Sequence, residues 1–165
     1  HRGGKLVGTA RTVDTRPGDN LFVYRALHAI RPGEVLVVDA GGVLDNAIVG
    51  ELIQLYAASR RCAGFVIDGA VRDTDVLAAG DFPCYARGVS HRGPYKSGPG
   101  EIDVPDDIVF GDHDGVVSFP AGDAERIVSA AEARARAEDD IRRKISSGDD
   151  GWVTAFLPQP AAAPR

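Results

Sequence analysis

Two carboxylates and a guanidinium stand at the ends of one stretch, Gly50 to Asp73, with Glu51 twenty-one residues before the adjacent pair Arg72-Asp73. A guanidinium stabilises negative charge growing on an oxygen, and a carboxylate can move a proton or hold a hard cation. Brought together, the three would suit chemistry that passes through an oxyanion. What lies between them predicts how they could meet. Leu52, Ile53, Tyr56 and Ala57 repeat at helical spacing, and Phe65, Val66 and Ile67 form a short buried-strand run. A helix followed by a return strand brings its far ends together. Glu51 would then lie near Arg72-Asp73 at a helix N-terminus, whose free N–H groups attract anions. A second reading stays open from spacing alone. Glu in a first helical turn is favoured by the dipole, and Arg-Asp after a strand is often a solvated loop.

The chain has 165 residues, 44% of them hydrophobic, enough for one domain with a real core. Its formal charge of -5 and the lack of any Lys/Arg block argue against a nucleic-acid surface. Cys62 and Cys84 have no metal-ligand spacing and read as buried, reduced thiols. No apolar run is long enough to span a membrane, and no signal-peptide pattern is visible at the start, so a cytoplasmic protein is expected. The chain holds no methionine, which fits a sequence whose natural start is missing.

In chain order, Lys5 to Val13 reads as a strand, Thr15 to Asn20 as a turn, and Leu21 to Ile30 as a helix with Leu21, Tyr24 and His28 on one face. Glu34 to Asp39 is an apolar run typical of a strand buried on both faces. Gly41-Gly42 then leads to the central helix, without the residues of a phosphate loop. Thr74 to Ala79 reads as a short helix, and Phe82 to Ala86 as a strand. Residues 88–101 read as a polar loop, better taken as solvated than as a cover carrying His91, Arg92, Tyr95 and Lys96 over a site. Asp112-His113-Asp114-Gly115 marks a hairpin within Asp107 to Phe119, and a long helix runs from Pro120 to about Ser147. Domain boundaries are expected at 1–148 and a C-terminal tail at 149–165, with Trp152, Phe156 and Leu157 able to dock on a neighbour.

Gly50-Glu51-Leu52, a gap, and then Asp68-Gly69-Ala70-Val71-Arg72-Asp73 resemble the signature of the 4-hydroxy-4-methyl-2-oxoglutarate aldolases, a family that also holds the regulator of ribonuclease activity A proteins. The likeness extends to Pro32 through Asp39, to Phe82-Pro83 with Ala86-Arg87-Gly88, and to Gly111 through Val117, covering roughly residues 5–148. Two departures stand out. The family usually carries some forty residues before this start, and about a dozen more between Val104-Pro105 and Asp106-Asp107-Ile108.

The resemblance implies an α/β fold, layered α/β/β/α in a single domain, assembled as a homotrimer or hexamer with sites between subunits. It implies a lyase: a divalent-metal-dependent class II aldolase cleaving 4-hydroxy-2-oxo acids to pyruvate, with oxaloacetate decarboxylation as a second activity through the same enolate. By resemblance, Asp73 holds Mg²⁺ or Mn²⁺ and Arg72 pairs with the substrate's C2 oxygen. The pyruvyl carboxylate rests on the N–H groups of Gly50, Glu51, Leu52 and Ile53, and Glu51 orients or deprotonates a water on the metal. The alternative is a non-catalytic binding protein that regulates an RNA-degrading enzyme.

The last helix adds one more candidate. Ile127, Ala131, Ala135, Ile141 and Ile145 fall on one stripe, with Glu138 near its middle. A carboxylate there needs a partner. Either Arg134 supplies it one turn back, or Glu138 reaches the metal site of a neighbouring subunit, as the resemblance implies.

Overall fold

The structure is a computed structural model that describes residues 4–103, 105–149 and 151. Two compact units divide the chain, residues 1–121 and residues 122–165. The first unit begins with β1 (Leu6–Thr15), α1 (Leu21–Ala29), β2 (Glu34–Asp39), β3 (Ala47–Val49) and α2 (Glu51–Ser59). It continues through β4 (Gly64–Val71), α3 (Thr74–Ala79), β5 (Cys84–Val89), β6 (Gly100–Asp103), β7 (Asp107–Gly111) and β8 (Val116–Pro120). The second unit holds one long helix, α4 (Ala124–Ser146). The expected tail contacts of Trp152, Phe156 and Leu157 lie outside the described residues.

All eight strands join one mixed sheet. β1, β2, β4, β3 and β5 pair in parallel, whereas β6 and β7 run antiparallel to β1, and β8 antiparallel to β7. Two strands share an edge between two partners. β1 pairs with β7 through Leu6 to Thr9 and with β6 through Thr12 to Thr15. β4 pairs with β2 through Gly64 to Asp68, then with β3 at Ala70 and Val71.

Strand alternation gives the central strands β2 and β4 two buried faces. Leu36, Val38, Phe65 and Ile67 pack with Val23, Ala26 and Leu27 of α1, Ile53 and Ala57 of α2, and Leu77 of α3. The intervening Val35, Val37 and Val66 turn to the opposite face, with Leu6, Ala10, Val109 and Tyr85. That second face is covered by the sheet itself. A methyl added at Gly111 of β7 would lie 2.9 Å from the Tyr85 ring of β5. These strands are four places apart, about 19 Å in a flat sheet, so the sheet must curl back on itself. One continuous sheet thus supplies both β layers of the α/β arrangement.

Two helix faces differ from the sequence reading. In α1 the buried residues are Val23, Ala26 and Leu27, so Tyr24 and His28 lie on the open side. In α2, Ile53, Gln54 and Ala57 are buried, while Leu52 and Tyr56 are exposed. Periodicity alone cannot tell an apolar residue facing its own core from one facing outward. β3 and β6 are also additions: three- and four-residue strands whose pairing comes from the partners β4 and β1.

Candidate functional site

The short strand β3 assembles the site. Val49 pairs with Val71, and the Arg72 N–H donates to the Val49 carbonyl at 3.1 Å. Gly50-Glu51 and Arg72-Asp73 therefore leave the carboxyl ends of adjacent parallel strands side by side. In open α/β sheets, ligands bind at such strand ends.

Asp73 sits in the left-handed region, φ 56° and ψ 41°, a conformation uncommon for a non-glycine residue and concentrated at functional positions. It turns the Asp73 carboxylate back onto the start of α2, where Oδ2 accepts the Glu51 N–H at 3.0 Å. The Arg72 Nε lies 3.5 Å from the same oxygen. By helix geometry the N–H groups of Leu52 and Ile53 have no carbonyl one turn back, and the first intrahelical bond is Gln54 N–H to Gly50 at 3.0 Å. The Glu51 carboxylate is half-buried and has no hydrogen-bond or ion-pair partner among the described residues.

Gly50 makes this closeness possible. A β-carbon there would lie 2.5 Å from the Asp73 carboxylate and 2.8 Å from Arg72 Cγ. Its backbone (φ -154°, ψ -165°) is ordinary extended chain, so the constraint is space alone. Gly50→Ala is expected to displace both side chains and to lower about a hundredfold any turnover that Arg72 and Asp73 support, since misplacement by an ångström can cost that much. Circular dichroism should remain that of the parent chain, which separates this outcome from unfolding.

Around this centre a small cleft of about 50 Å³ is lined by Asn20, Tyr24, Gly50, Leu52, Ile53 and Arg72, with Lys96 at its edge. Asn20 is buried. Its Nδ2 donates to the Ile48 carbonyl at 2.9 Å, which leaves Oδ1 with no hydrogen-bond partner. An orphaned buried acceptor is costly, and a ligand hydroxyl or water would satisfy it. Larger hollows lie elsewhere, one of about 530 Å³ beside Val7, Phe110 and Val117, with Lys5, Asp112 and Asp114 also in its lining.

The loop over residues 88–101 is solvated as expected, with His91, Arg92, Tyr95 and Lys96 all exposed, but its backbone is tied down. Ala47 N–H bonds to the Arg92 carbonyl at 2.9 Å, Asn46 Nδ2 to Gly93 at 2.6 Å, and Asn20 N–H to Tyr95 at 3.0 Å. These bonds seat Pro94 and Lys96 at the cleft. The Lys96 ammonium stands 5.8 Å from the centre of the Tyr24 ring. The loop's composition could not reveal this, because its anchors lie some fifty and eighty residues earlier. Asn20 was hidden for a similar reason: in sequence it is one more turn residue.

As a candidate cation ligand, the Asp73 carboxylate stands next to Arg72 and the start of α2, with Glu51 adjoining, although neither carboxylate residue lines the cleft itself. No group of three His, Cys, Asp or Glu side chains able to hold an ion occurs among the described residues. Mg²⁺ commonly binds through one or two carboxylates plus water and substrate oxygens, and no His or Cys lines the cleft. The donor set therefore fits a hard cation and not zinc. On the expectation that Asp73 holds the cation, Asp73→Asn keeps the fold, because Asn also tolerates the left-handed region, and weakens Mg²⁺ or Mn²⁺ binding by tenfold or more, on the order of one lost charge contact. Calorimetric titration checks it, and unchanged affinity would place the cation elsewhere.

Glu138 belongs to α4, in the second unit. Its carboxylate meets Arg134 Nε at 2.9 Å and Arg142 Nη2 at 3.6 Å. The ion-pair partner anticipated one turn back is therefore present, and a second lies one turn ahead.

A family model described as Aldolase/RraA matches residues 1–118. The chain belongs to the RraA-like family. A Halalkalibacterium halodurans protein, provisionally named a 4-hydroxy-4-methyl-2-oxoglutarate aldolase, is 36% identical over 163 residues, 93% of this chain and 77% of that protein. Among solved structures, the RNA-processing inhibitor RraA from Thermus thermophilis superposes with a TM-score of 0.66 at 32% identity, over 72% of this chain and 79% of its own. Streptomyces coelicolor RraAS2, titled an unusual member of the RNase ES inhibitor RraA family, gives 0.77 at 29%, over 86% and 78%. The family thus spans proteins named for aldolase chemistry and proteins named for ribonuclease inhibition. No helix among the described residues is long and apolar enough to cross a membrane.

Proposed function

We propose that the chain is a divalent-metal-dependent lyase that cleaves 4-hydroxy-2-oxo acids to pyruvate and also decarboxylates oxaloacetate. The observation that carries this reading is the meeting of Arg72, the left-handed Asp73 and the α2 N-terminus beside one cleft. A 2-oxo acid presents a carboxylate and a ketone oxygen side by side. The N–H groups of Leu52 and Ile53 receive the carboxylate, with the helix dipole behind them. Arg72 donates to the C2 oxygen and stabilises the charge that grows there as the enolate forms. Asp73 holds Mg²⁺ or Mn²⁺, which supplies Lewis-acid polarisation of the 2-oxo group. Glu51, unpaired and half-buried, accepts the proton leaving the 4-hydroxyl, directly or through one water. Asn20 Oδ1 accepts from a substrate hydroxyl, and the Lys96 ammonium faces a distal carboxylate.

The cleft is small beside ligand sites that run to several hundred cubic ångströms. Leu52, exposed at 75%, and Tyr24 line it, and the same helix α2 also exposes Leu55 at 56% and Tyr56. Such a face supports a site completed by a neighbouring subunit, in a homotrimer or hexamer. Glu138 is then a second carboxylate supplied to the metal across that boundary. Glu138→Gln is expected to lower Mg²⁺-dependent pyruvate release about tenfold or more in an intact oligomer, as loss of a metal contact would, whereas Arg134→Gln should not. Equal small stability losses with activity preserved would leave Glu138 as part of an ion pair.

The deciding experiment is pyruvate release from oxaloacetate, with Mg²⁺ and then with a chelator. Metal-dependent release supports the lyase. Its absence from a folded, metal-loaded oligomer would favour the second reading, regulation of an RNA-degrading enzyme. That reading draws on the two inhibitor-named structures and on a net charge of -5, which suits a basic protein partner.

A further inference from the structure

Asp19 is fully buried, yet its carboxylate spends every contact on the two segments that frame the cleft. Oδ2 accepts the Ser97 N–H at 2.6 Å and the Gly98 N–H at 3.0 Å, and Oδ1 accepts the Leu21 N–H at 2.9 Å. Arg16 Nη2 adds a longer contact at 3.4 Å. The backbone reinforces the same junction: Tyr95 N–H donates to Gly18 at 2.8 Å and Asn20 N–H to Tyr95 at 3.0 Å. Lys96 is thus held between two residues, Tyr95 and Ser97, that are both bonded to residues 18–20. Asn20, with its orphaned Oδ1, follows Asp19 directly.

Burial by itself would raise the Asp19 carboxyl, but the three N–H donors and Arg16 outweigh it and hold the group below its ordinary value. It is therefore an anion at neutral pH, and charge-assisted bonds to N–H groups are the strong kind. Nothing else in the junction is charged and buried to the same degree. Without it, the backbone bonds at Tyr95 would remain, but the turn after Lys96 would lose its anchor.

We propose that Asp19 is a positioning residue of the cleft: by clamping Ser97 and Gly98 to the start of α1, it fixes Lys96 and Asn20 against Arg72 and so sets affinity for a dianionic 2-oxo acid rather than the rate of bond cleavage. This rests on the lyase reading of the site. A residue acting through Lys96 leaves a signature that a residue serving only stability does not. Its loss should raise KM and leave kcat, and the loss should vanish once Lys96 is gone.

The test uses the full chain with Mg²⁺, oxaloacetate as substrate and 2-oxoglutarate, which keeps a distal carboxylate, as a probe that does not decarboxylate. Asp19→Asn, Lys96→Gln and the double variant are compared with the parent. Asp19→Asn is expected to raise KM for oxaloacetate and Kd for 2-oxoglutarate about tenfold, with kcat within about twofold, the size of one misplaced charged contact. In the Lys96→Gln background the same change should add less than about twofold, the non-additivity of residues that share one interaction. Amide hydrogen exchange should show Ser97 and Gly98 opening about tenfold more readily in Asp19→Asn, a readout independent of turnover. Unchanged KM and Kd in Asp19→Asn, or losses that multiply fully in the double variant, would overturn the proposal. A parent chain that neither binds 2-oxoglutarate nor turns over oxaloacetate would instead sink the lyase reading, and this role with it.

Discussion

Replacing Arg72 with lysine is expected to lower metal-dependent oxaloacetate turnover by a factor of about 10² to 10³, the usual result of removing one donor aimed at a developing oxyanion. Lysine keeps the charge but loses the planar fork that can touch two oxygens at once. At this site the fork matters, because Arg72 already directs Nε toward Asp73 Oδ2, leaving its terminal nitrogens for a ligand. One of them lies where a β-carbon on Gly93 would stand 3.2 Å away, so the tied-down loop also confines the guanidinium. An ammonium could serve Asp73 or the substrate, not both. The fold should be untouched, since the Arg72 backbone bond to Val49 does not depend on the side chain. Steady-state kinetics with matched melting curves decide it. A rate near that of the parent would remove Arg72 from the mechanism.

The largest effect on stability is expected far from the cleft, at Arg11. Its guanidinium grips Glu34 in a two-pronged pair, Nε to Oε2 at 2.7 Å and Nη2 to Oε1 at 2.9 Å, with both side chains about 6% exposed. The Arg31 N–H adds a bond to Glu34 Oε2 at 2.8 Å. Arg11→Met strands the Glu34 carboxylate among apolar neighbours, and breaking a buried pair this way typically costs about 3–5 kcal/mol. For a chain of this size that corresponds to a fall in Tm of about 10 °C. The pH dependence carries a sign of its own. Burial would raise the Glu34 carboxyl, but Arg11 and the Arg31 N–H outweigh it and hold it below its ordinary 4.5. In the parent chain its stabilising contribution is complete above about pH 4.5 and is lost as pH falls through the lowered folded value. In Arg11→Met, burial is opposed only by Arg31, through its N–H and its charge, so the deficit should be greatest near neutral pH and should narrow on acidification. Pairing Arg11→Met with Glu34→Leu should recover most of the loss. A deficit independent of pH would mean that Glu34 finds another partner.

These two sites were unequally visible beforehand. Arg72, Asp73 and Glu51 were legible because the chain between their positions is a simple unit, a helix and a strand whose lengths return the ends to one place. The strand spans were also clear where both faces are buried: Glu34 to Asp39 reads as an unbroken apolar run and forms β2 over those same residues. The hairpin at Asp112 to Gly115 followed from its turn residues, and the short helix Thr74–Ala79 from its apolar spacing and closing glycine.

What remained hidden depends on contacts between distant segments. Arg11 and Glu34 look like ordinary strand-end charges until parallel pairing of β1 with β2 places them on one buried face. β3 is too short to carry a period, yet its pairing with β4 is what sets Gly50 against Arg72. The outward faces of α1 and α2 could not be assigned, because Tyr24, Leu52 and Tyr56 are as apolar as the residues beneath them. The residue types and spacing along Gly50 to Asp73 determined which chemistry was available, since those are local properties of the chain. Tertiary structure alone decided the rest of the cleft: Asn20 and Lys96 come together only because Asp19 bonds a loop nearly eighty residues away, and no local pattern encodes a hydrogen bond of that reach.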